Sequence, residues 1–340
     1  MKIIGKKDFE AFVEHLVKED PREVVGVQEK GDKFIFDILQ KASDLRLDHD
    51  MTVLPPTQYF MSKQDILLQS DQRDEVITED ITPRIIIGIH PYDLDAIRQV
   101  DNILSKTPKG RMYLKKRKSS VLVGVNIINT SVRGFAGSMG TSTVSRSYDL
   151  MITDLGDEYA IEIGSEKGFD LLDGIDIRDA TEDEKSKVEE ILSDVNDSFL
   201  EELSFPHEEL PRILKRNIEN RVLWKKHSEG CIECGSCVIV CPTSYFLNAD
   251  DITSDNLDGA ENSDIWKQCV HEEFSKEVTP EGGMEDKYQR YRHRLITKGL
   301  YLYEIFGDIA CVGCGRCASL CPTDVADPSV VFNDLKGYSE

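Results

Sequence analysis

Eight of the nine cysteines in this 340-residue chain lie in two short segments that share one spacing, C-x2-C-x2-C-x3-C-P. They are Cys231, Cys234, Cys237 and Cys241 in the first motif (residues 231–242), and Cys311, Cys314, Cys317 and Cys321 in the second motif (residues 311–322). Residues 1–230 contain no cysteine, whereas a secreted disulfide scaffold spreads its cysteines through a small chain. Thiolates concentrated in this way indicate a cofactor held in a reducing compartment.

Iron–sulfur ligation fits this spacing, because it is the pattern with which bacterial ferredoxins hold two 4Fe-4S clusters. Three thiolates on a tight loop reach three irons, and Gly235 and Gly315 let each loop turn without a side-chain clash. The cysteine before the proline points elsewhere and ligates the other cluster. The predicted ligands are Cys231, Cys234, Cys237 and Cys321 for cluster 1, and Cys311, Cys314, Cys317 and Cys241 for cluster 2.

Structural zinc is the alternative for clustered thiolates. Zinc sites usually combine two short C-x2-C pairs and use four ligands in all, so two complete four-cysteine sets that each end in Cys-Pro are hard to explain in that way. The remaining cysteine, Cys269, is interpreted as a buried structural thiol, because free cysteine is commonly buried. A labile ligand or a redox thiol is the alternative role for Cys269.

Iron–sulfur clusters transfer single electrons, so any bond-making chemistry needs other machinery, and the sequence has no standard motif for it. No G-x-G-x-x-G follows a predicted strand, and no G-x-x-x-x-G-K-S/T phosphate loop occurs. The glycine-rich stretch Gly134–Gly140 has a different spacing and is interpreted as a flexible surface loop. His90 follows a predicted strand without a visible partner ligand and is interpreted as structural.

The formal net charge of −22 disfavours nucleic acid and anionic membranes as partners, because both repel an acidic surface. No apolar run approaches the roughly 18 residues that a membrane-spanning helix needs. The N-terminal segment carries acidic residues where a signal peptide needs its apolar stretch, and it has no twin arginine. The sequence therefore predicts a cytoplasmic protein.

Two basic segments stand out from this acidic composition. Ser105–Ser120 has seven basic residues and no acid, and is either a solvated loop or a docking surface for an acidic partner. Its densest part is Lys115, Lys116, Arg117 and Lys118. Lys287–Lys298 is basic and aromatic, and we predict a helix near the clusters whose cations offset cluster charge and raise the reduction potential.

Residues 1–205 are predicted to form a mixed α/β (α+β) domain in which a small sheet is flanked by helices. Apolar spacing predicts an amphipathic helix over Asp8–Glu19, a hairpin turning near Gly31, and buried strands at Pro83–His90 and Ser120–Ile128. Thr181 and Glu184 have the spacing of a capping box that begins a further helix.

Ser204–Pro211 carries two prolines and is predicted to be the hinge to a second domain. That domain, residues 206–340, is predicted to be a mainly α-helical, ferredoxin-like domain that binds two 4Fe-4S clusters. The stretch between the two motifs, residues 242–310, is too long for a bare ferredoxin loop and is predicted to be a helical insert that packs on the clusters and meets a partner.

Across about residues 50–325 the chain resembles a family of iron–sulfur proteins that comprises the β subunits of cytoplasmic sulfhydrogenase-type NiFe hydrogenases and an iron–sulfur component of anaerobic sulfite reductase. The resemblance rests on the cysteine motifs and on several segments in a common order: "TVLPPTQYFMSKQDIL", "IIIGIHPYDLDAI", "YDLMITDLGDEYAIEIGSEKG", "DIWKQC" and "YQRYRHRL". Many members carry further cysteines after the histidine of the "GIH" segment and after the next strand. Here "HPYDL" and "NIINTSVRGFAGSMG" have none, so we expect two clusters and no third.

The resemblance implies an electron-transfer subunit of a multi-subunit anaerobic oxidoreductase. It would relay single electrons between a flavin/nicotinamide or ferredoxin-linked subunit and a terminal catalytic subunit of the hydrogenase or sulfite reductase kind. Two alternatives stay open from the residues: a stand-alone redox enzyme with a flavin or substrate site in the N-terminal domain, and a structural or oxygen-sensing iron–sulfur scaffold.

Overall fold

In the computed structural model, which describes residues 1–61, 81–107, 110–245, 270 and 284–338, strands from the first half of the chain form one mixed sheet of eight strands. They are β1 (Lys2–Gly5), β2 (Glu23–Lys30), β3 (Lys33–Ile38), β4 (Arg84–Ile89), β5 (Val121–Val125), β6 (Leu150–Asp154), β7 (Glu158–Ile163) and β8 (Arg178–Asp179). Their order across the sheet is β3-β2-β4-β5-β6-β7-β1-β8. The sheet is larger than the small sheet that the sequence predicts.

The four central strands β2, β4, β5 and β6 are parallel, and the pairs on either side of them are antiparallel. Alternate residues of β4 face two different cores: Ile85 and Ile87 contribute to one, and Ile86 and Ile89 to the other. Apolar side chains on both faces are typical of parallel strands that helices cover on each side. The mixed α/β prediction for the first half is therefore confirmed.

The helices follow the chain in the order α1 (Lys6–Glu19), α2 (Pro91–Ser105), α3 (Arg111–Ser119), α4 (Glu166–Leu171), α5 (Glu182–Asp197), α6 (Leu210–Asn217), α7 (Arg221–Ser228), α8 (Ser236–Ile239), α9 (Lys287–Ile296), α10 (Leu302–Phe306), α11 (Arg316–Ser319) and α12 (Pro328–Gly337). Short 3-10 turns lie at Ala42–Asp44, Pro56–Tyr59 and His207–Glu209. Between α9 and α10, Thr297–Tyr301 forms a π-helical turn.

Several predicted elements are confirmed with small shifts at their ends. The helix predicted over Asp8–Glu19 is α1, and the hairpin β2–β3 turns at Gly31, whose φ is +65°. The two predicted buried strands are β4 and β5. Thr181 and Glu184 form the expected capping box at the start of α5.

The interpretation of Gly134–Gly140 as a flexible surface loop is wrong. Phe135, Ala136 and Met139 are buried, and the Phe135 N–H donates to the carbonyl oxygen of Gly313 at 2.8 Å. The stretch therefore packs directly against the second motif. One of its glycines, Gly137, allows a close approach to α5, because a Cβ there would lie 2.6 Å from the Asn196 carbonyl oxygen.

The second half of the chain has a helical core around Trp224, which is fully buried between α6, α7, α9 and α12. Phe135 and Met139 from the first half pack into this core. So does Phe205, which lies in the predicted hinge Ser204–Pro211. The hinge segment is thus a packed connection at which the two predicted domains share apolar side chains.

Candidate metal centre

Both cysteine motifs fold in the same way around a left-handed glycine. Gly235 and Gly315 have φ values of +76° and +77°, and each precedes a single short helix, α8 or α11. This conformation is open to glycine at little cost, so the predicted role of the two glycines in the turn is confirmed. Two residues earlier, Glu233 and Gly313 also have positive φ, at 57° and 64°. The loops therefore present their cysteines through matching backbone turns.

Cysteines from both motifs line one recess at the first motif. Its wall contains the first three cysteines of that motif together with Cys321 from the second motif, more than 80 residues away along the chain. The negative charge of Cys321 is one of the influences that raise the pKa of Cys231, after burial, which is the largest. Cys234 is exposed, so this recess lies at the protein surface.

The other four thiols form a second group, in which Cys314 is buried and the other three residues are half-buried. Burial raises the pKa of Cys311, Cys317 and Cys314, the last to about 12, and the neighbouring thiolates add to the rise. Cys241 of the first motif is among the neighbours of all three. None of the eight motif cysteines is in a disulfide. Each of these two sets of four cysteines thus combines the first three cysteines of one motif with the last cysteine of the other.

Cys241 differs from its three neighbours because nearby positive charge and hydrogen bonds favour its thiolate. Burial alone would raise its pKa, but the Lys298 ammonium and hydrogen bonds from Thr243 outweigh burial and lower it. The Lys298 Nζ donates to the Thr243 carbonyl oxygen at 2.6 Å, and the Thr243 hydroxyl lies 3.3 Å from the Cys241 sulfur. A charged ammonium with fixed donors at this sulfur favours metal ligation, which requires the thiolate.

Helix α9 places a stripe of basic side chains along the two motifs. Lys287 donates to the Cys231 carbonyl oxygen at 3.1 Å, and Arg290 donates to the Glu233 carboxylate at 2.9 Å through Nε. Arg294 lies one turn further along, beside thiols of both motifs. The predicted helix near the cysteines is therefore confirmed. The described part of the predicted insert 242–310 is mainly helical, whereas Cys269 and Trp266 lie outside the described residues.

Arg316 of the second motif is 1% exposed, because the first half of the chain packs over it. Its guanidinium donates two hydrogen bonds of 2.6 Å to the Asp93 carboxylate at the start of α2. It also donates to the Thr52 carbonyl oxygen at 2.8 Å. No sequence pattern indicates this contact, because Arg316 and its partners are more than 220 residues apart along the chain.

His90 lies in a buried polar group next to this contact. Its ring stacks on His49 with centroids 4.0 Å apart and planes 6° apart, and its Nδ1 is 2.7 Å from the Tyr92 hydroxyl. The Tyr92 ring in turn faces the Arg316 guanidinium at 5.6 Å. No sequence pattern indicates a role for His49 or Tyr92, because neither lies in a motif with a metal-ligand spacing.

The predicted docking residues lie on helix α3 and not on a loop. Lys115 and Lys118 are exposed, whereas Arg117 forms an ion pair with Asp101 at 3.2 Å. The guanidinium of Arg117 also faces the Phe60 ring at 5.9 Å. Of the four residues, Lys115 and Lys118 are thus the two that the fold leaves exposed to solvent.

Comparison with known proteins agrees with the cysteine pattern. Residues 230–325 match the family model described as a 4Fe-4S dicluster domain. The chain is 27% identical, over 317 residues, to sulfhydrogenase 2 subunit beta of Pyrococcus furiosus, and the match covers 92% of each chain. The predicted resemblance to iron–sulfur β subunits is confirmed. Within the described residues, no helix is both long and apolar enough to cross a membrane.

Proposed function

We propose that this chain, a homologue of an iron–sulfur hydrogenase β subunit with a 4Fe-4S dicluster domain, relays single electrons inside a multi-subunit oxidoreductase through two 4Fe-4S clusters. The observation that carries the proposal is the crossed grouping of the thiols. Each group of four takes its last member from the other motif, which is the arrangement of ferredoxins with two clusters.

The proposed ligands of cluster 1 are Cys231, Cys234, Cys237 and Cys321, and those of cluster 2 are Cys311, Cys314, Cys317 and Cys241. The fit is supported by the shared recess of the first set and by the mutual proximity of the second set. When bound, each cluster supplies one-electron transfer and no bond-making chemistry. Lys298 and the basic side chains of α9 hold positive charge beside these ligands, which favours the reduced and more negative state.

The two sets differ in exposure, and this difference supports a direction for partner contact. Cys234 of the first set is exposed, whereas Cys314 of the second set is buried under residues of the first half of the chain. We therefore place exchange with an external redox subunit on the side of the first set. The partners would be a flavin/nicotinamide or ferredoxin-linked subunit and a terminal catalytic subunit, in a complex located in the cytoplasm.

Lys115 and Lys118 are the proposed contact with an acidic surface of one such subunit. Opposite charge steers association and fixes orientation more than it adds affinity. Their exposure on α3 supports the proposal. Replacing both by glutamate is expected to slow assembly of the complex at low salt and to leave the iron content of the isolated chain unchanged.

The proposal is tested by iron and sulfide analysis of protein purified without oxygen. Two cubanes require about eight irons per chain. Cys314→Ser is expected to leave about four, because it removes a ligand of cluster 2 only. A chain that contains zinc in place of iron contradicts the proposal.

The crossed ligation has a sharper test in the Cys314→Ser background, where only cluster 1 is expected. Adding Cys321→Ser should then remove the remaining iron, whereas adding Cys241→Ser should leave it in place. The opposite result would mean that each motif supplies all four ligands of its own cluster.

A further inference from the structure

Arg294 of helix α9 is a buried cation whose donors are only partly used. The residue is 7% exposed, and its Nε and Nη2 have no hydrogen-bond partner among the described residues. Two nearby basic side chains are partnered: Arg290 of α9 by Glu233, and Lys298 of the following π-helical turn by Thr243. A buried guanidinium without acceptors is costly, so the folded protein must supply negative charge at this position.

Thiols of both proposed ligand sets lie at this position, and they carry negative charge when they ligate a metal as thiolates. The guanidinium lies beside Cys237 of the first set and forms a hydrogen bond with Cys317 of the second set. Arg294 also lines a recess together with Cys237 and Cys241, which again belong to different sets. The guanidinium is therefore placed between the two sets.

We propose that Arg294 is a positioning residue that lets both cluster sites hold an electron at the same time. The inference rests on the proposed function. Each one-electron reduction, by a low-potential one-electron donor, adds one negative charge and makes or breaks no bond. Two such charges close together in a protein interior repel each other, and the second electron is then harder to add than the first. A fixed cation between the sites offsets this repulsion.

The unpartnered nitrogens add hydrogen bonding to the effect of the charge. Hydrogen bonds to cluster sulfur raise the reduction potential, and a guanidinium has donors in a planar fork that can serve two neighbours at once. A chain that accepts two electrons at similar potentials can exchange them with a two-electron carrier and with a one-electron carrier. Arg294 thus gives the relay a capacity of two electrons.

The experiment is an anaerobic redox titration of the full chain with dithionite, followed by electron paramagnetic resonance. The variants are Arg294→Gln and Arg294→Lys, with Arg292→Gln as the matched control. Arg292 lies on the same helix, but its guanidinium donates to the Ile218 carbonyl oxygen at 2.7 Å. Its replacement removes the same charge from α9 at a side chain with a different neighbour.

The measured quantity is the equilibrium constant for adding the second electron divided by that for adding the first. In Arg294→Gln this ratio is expected to be at least tenfold lower than in the wild type. For one electron, tenfold corresponds to about 59 mV. Arg292→Gln should leave the separation of the two steps unchanged. If the reduction potentials of both steps fall equally in Arg294→Gln, or if neither potential falls, the inference is wrong.

The two proposals fail in distinguishable ways. Wild-type protein without about eight irons overturns the proposed function itself. Normal iron content with an unmoved second step overturns only the role of Arg294. If Arg294→Gln does not assemble clusters, Arg294→Lys decides, because it keeps the charge. The inference is supported if the equilibrium constant for adding the second electron to Arg294→Lys, relative to the first, is within threefold of the wild-type value. A tenfold decrease in this ratio contradicts it.

Discussion

At the scale of single residues, His49 and His90 form a stacked pair that carries no charge in the folded protein. Burial lowers the pKa of His49 to about 3, and the Arg316 charge acts in the same direction. Burial also lowers the pKa of His90 far below its usual range. Both imidazoles ionise near pH 6.5 in the unfolded chain, so acidification below that value protonates the unfolded state first.

We therefore expect stability to fall as the pH drops from about 6.5 towards 3, by up to about 1.4 kcal/mol per pH unit for each histidine. Above pH 6.5 this contribution is fully present and constant. The measurement is the apparent melting temperature of the anaerobic holoprotein at pH 7.0, 6.0 and 5.0. His49→Phe should reduce the dependence, because it removes one of the two groups.

The control is His15→Gln, since His15 is exposed on helix α1. This variant should keep the wild-type dependence on pH. An unchanged dependence in His49→Phe would show that other groups, such as the paired carboxylates, cause the acid sensitivity.

The cysteine positions could be predicted because ligand spacing is a local property of the chain. The polar group around His90 could not, because its members His49, Tyr92 and Arg316 come from three distant segments. Only the folded chain brings them together, and no sequence pattern marks a residue whose partner lies more than 200 positions away.

At the scale of elements, the turn of the second motif is fixed by contact with the Gly134–Gly140 stretch. A Cβ on Gly315 would lie 2.5 Å from the Arg133 carbonyl oxygen, and one on Gly313 would lie 2.8 Å from the Ala136 nitrogen. Real side chains essentially never approach a backbone so closely. The two glycines thus allow two backbones to touch, in addition to allowing the turn.

Gly315→Ala is expected to destabilise the protein much more than Gly307→Ala. Both glycines have a similar φ, +77° and +83°, so each substitution costs about 1–2 kcal/mol of backbone strain. Only position 315 adds a clash, because nothing lies within 4 Å of a Cβ at Gly307. Melting temperatures of the two variants measure the difference. Equal losses would show that strain alone matters.

Periodicity predicted the long elements, including α1, β4 and α5, because apolar spacing over many residues is distinctive. It does not identify β1 or the edge strand β8, which have four and two residues and are too short to show a period. The glycine content of Gly134–Gly140 leads to a wrong prediction for a different reason, because glycine favours flexible loops and close backbone contacts alike.

At the scale of the whole molecule, the ion pair between Arg316 and Asp93 joins the sheet half to the cluster half. Arg316→Met leaves the Asp93 carboxylate buried and unpaired, which is expected to cost about 3–5 kcal/mol. Adding Asp93→Leu should recover much of the loss, because no buried charge then remains. Thermal unfolding of the single and double variants measures this coupling.

The reference for this cycle is the exposed pair of Lys2 and Asp179, which is 2.8 Å apart. Removing one partner there should cost at most about 1 kcal/mol. If the stability lost in the double variant equals the sum of the losses in the Arg316 and Asp93 single variants, the two side chains do not depend on each other.

The Arg316–Asp93 contact has a consequence for biosynthesis. A ribosome adds about 5–20 residues per second, so the 223 residues that separate the two partners take about 11–45 s to appear. Throughout that interval Asp93 lacks its guanidinium, and the surface of the nascent sheet half that later covers the second motif stays open. Because docking of Arg316 then buries Cys314, we expect iron and sulfide to reach the second motif before this surface closes over it.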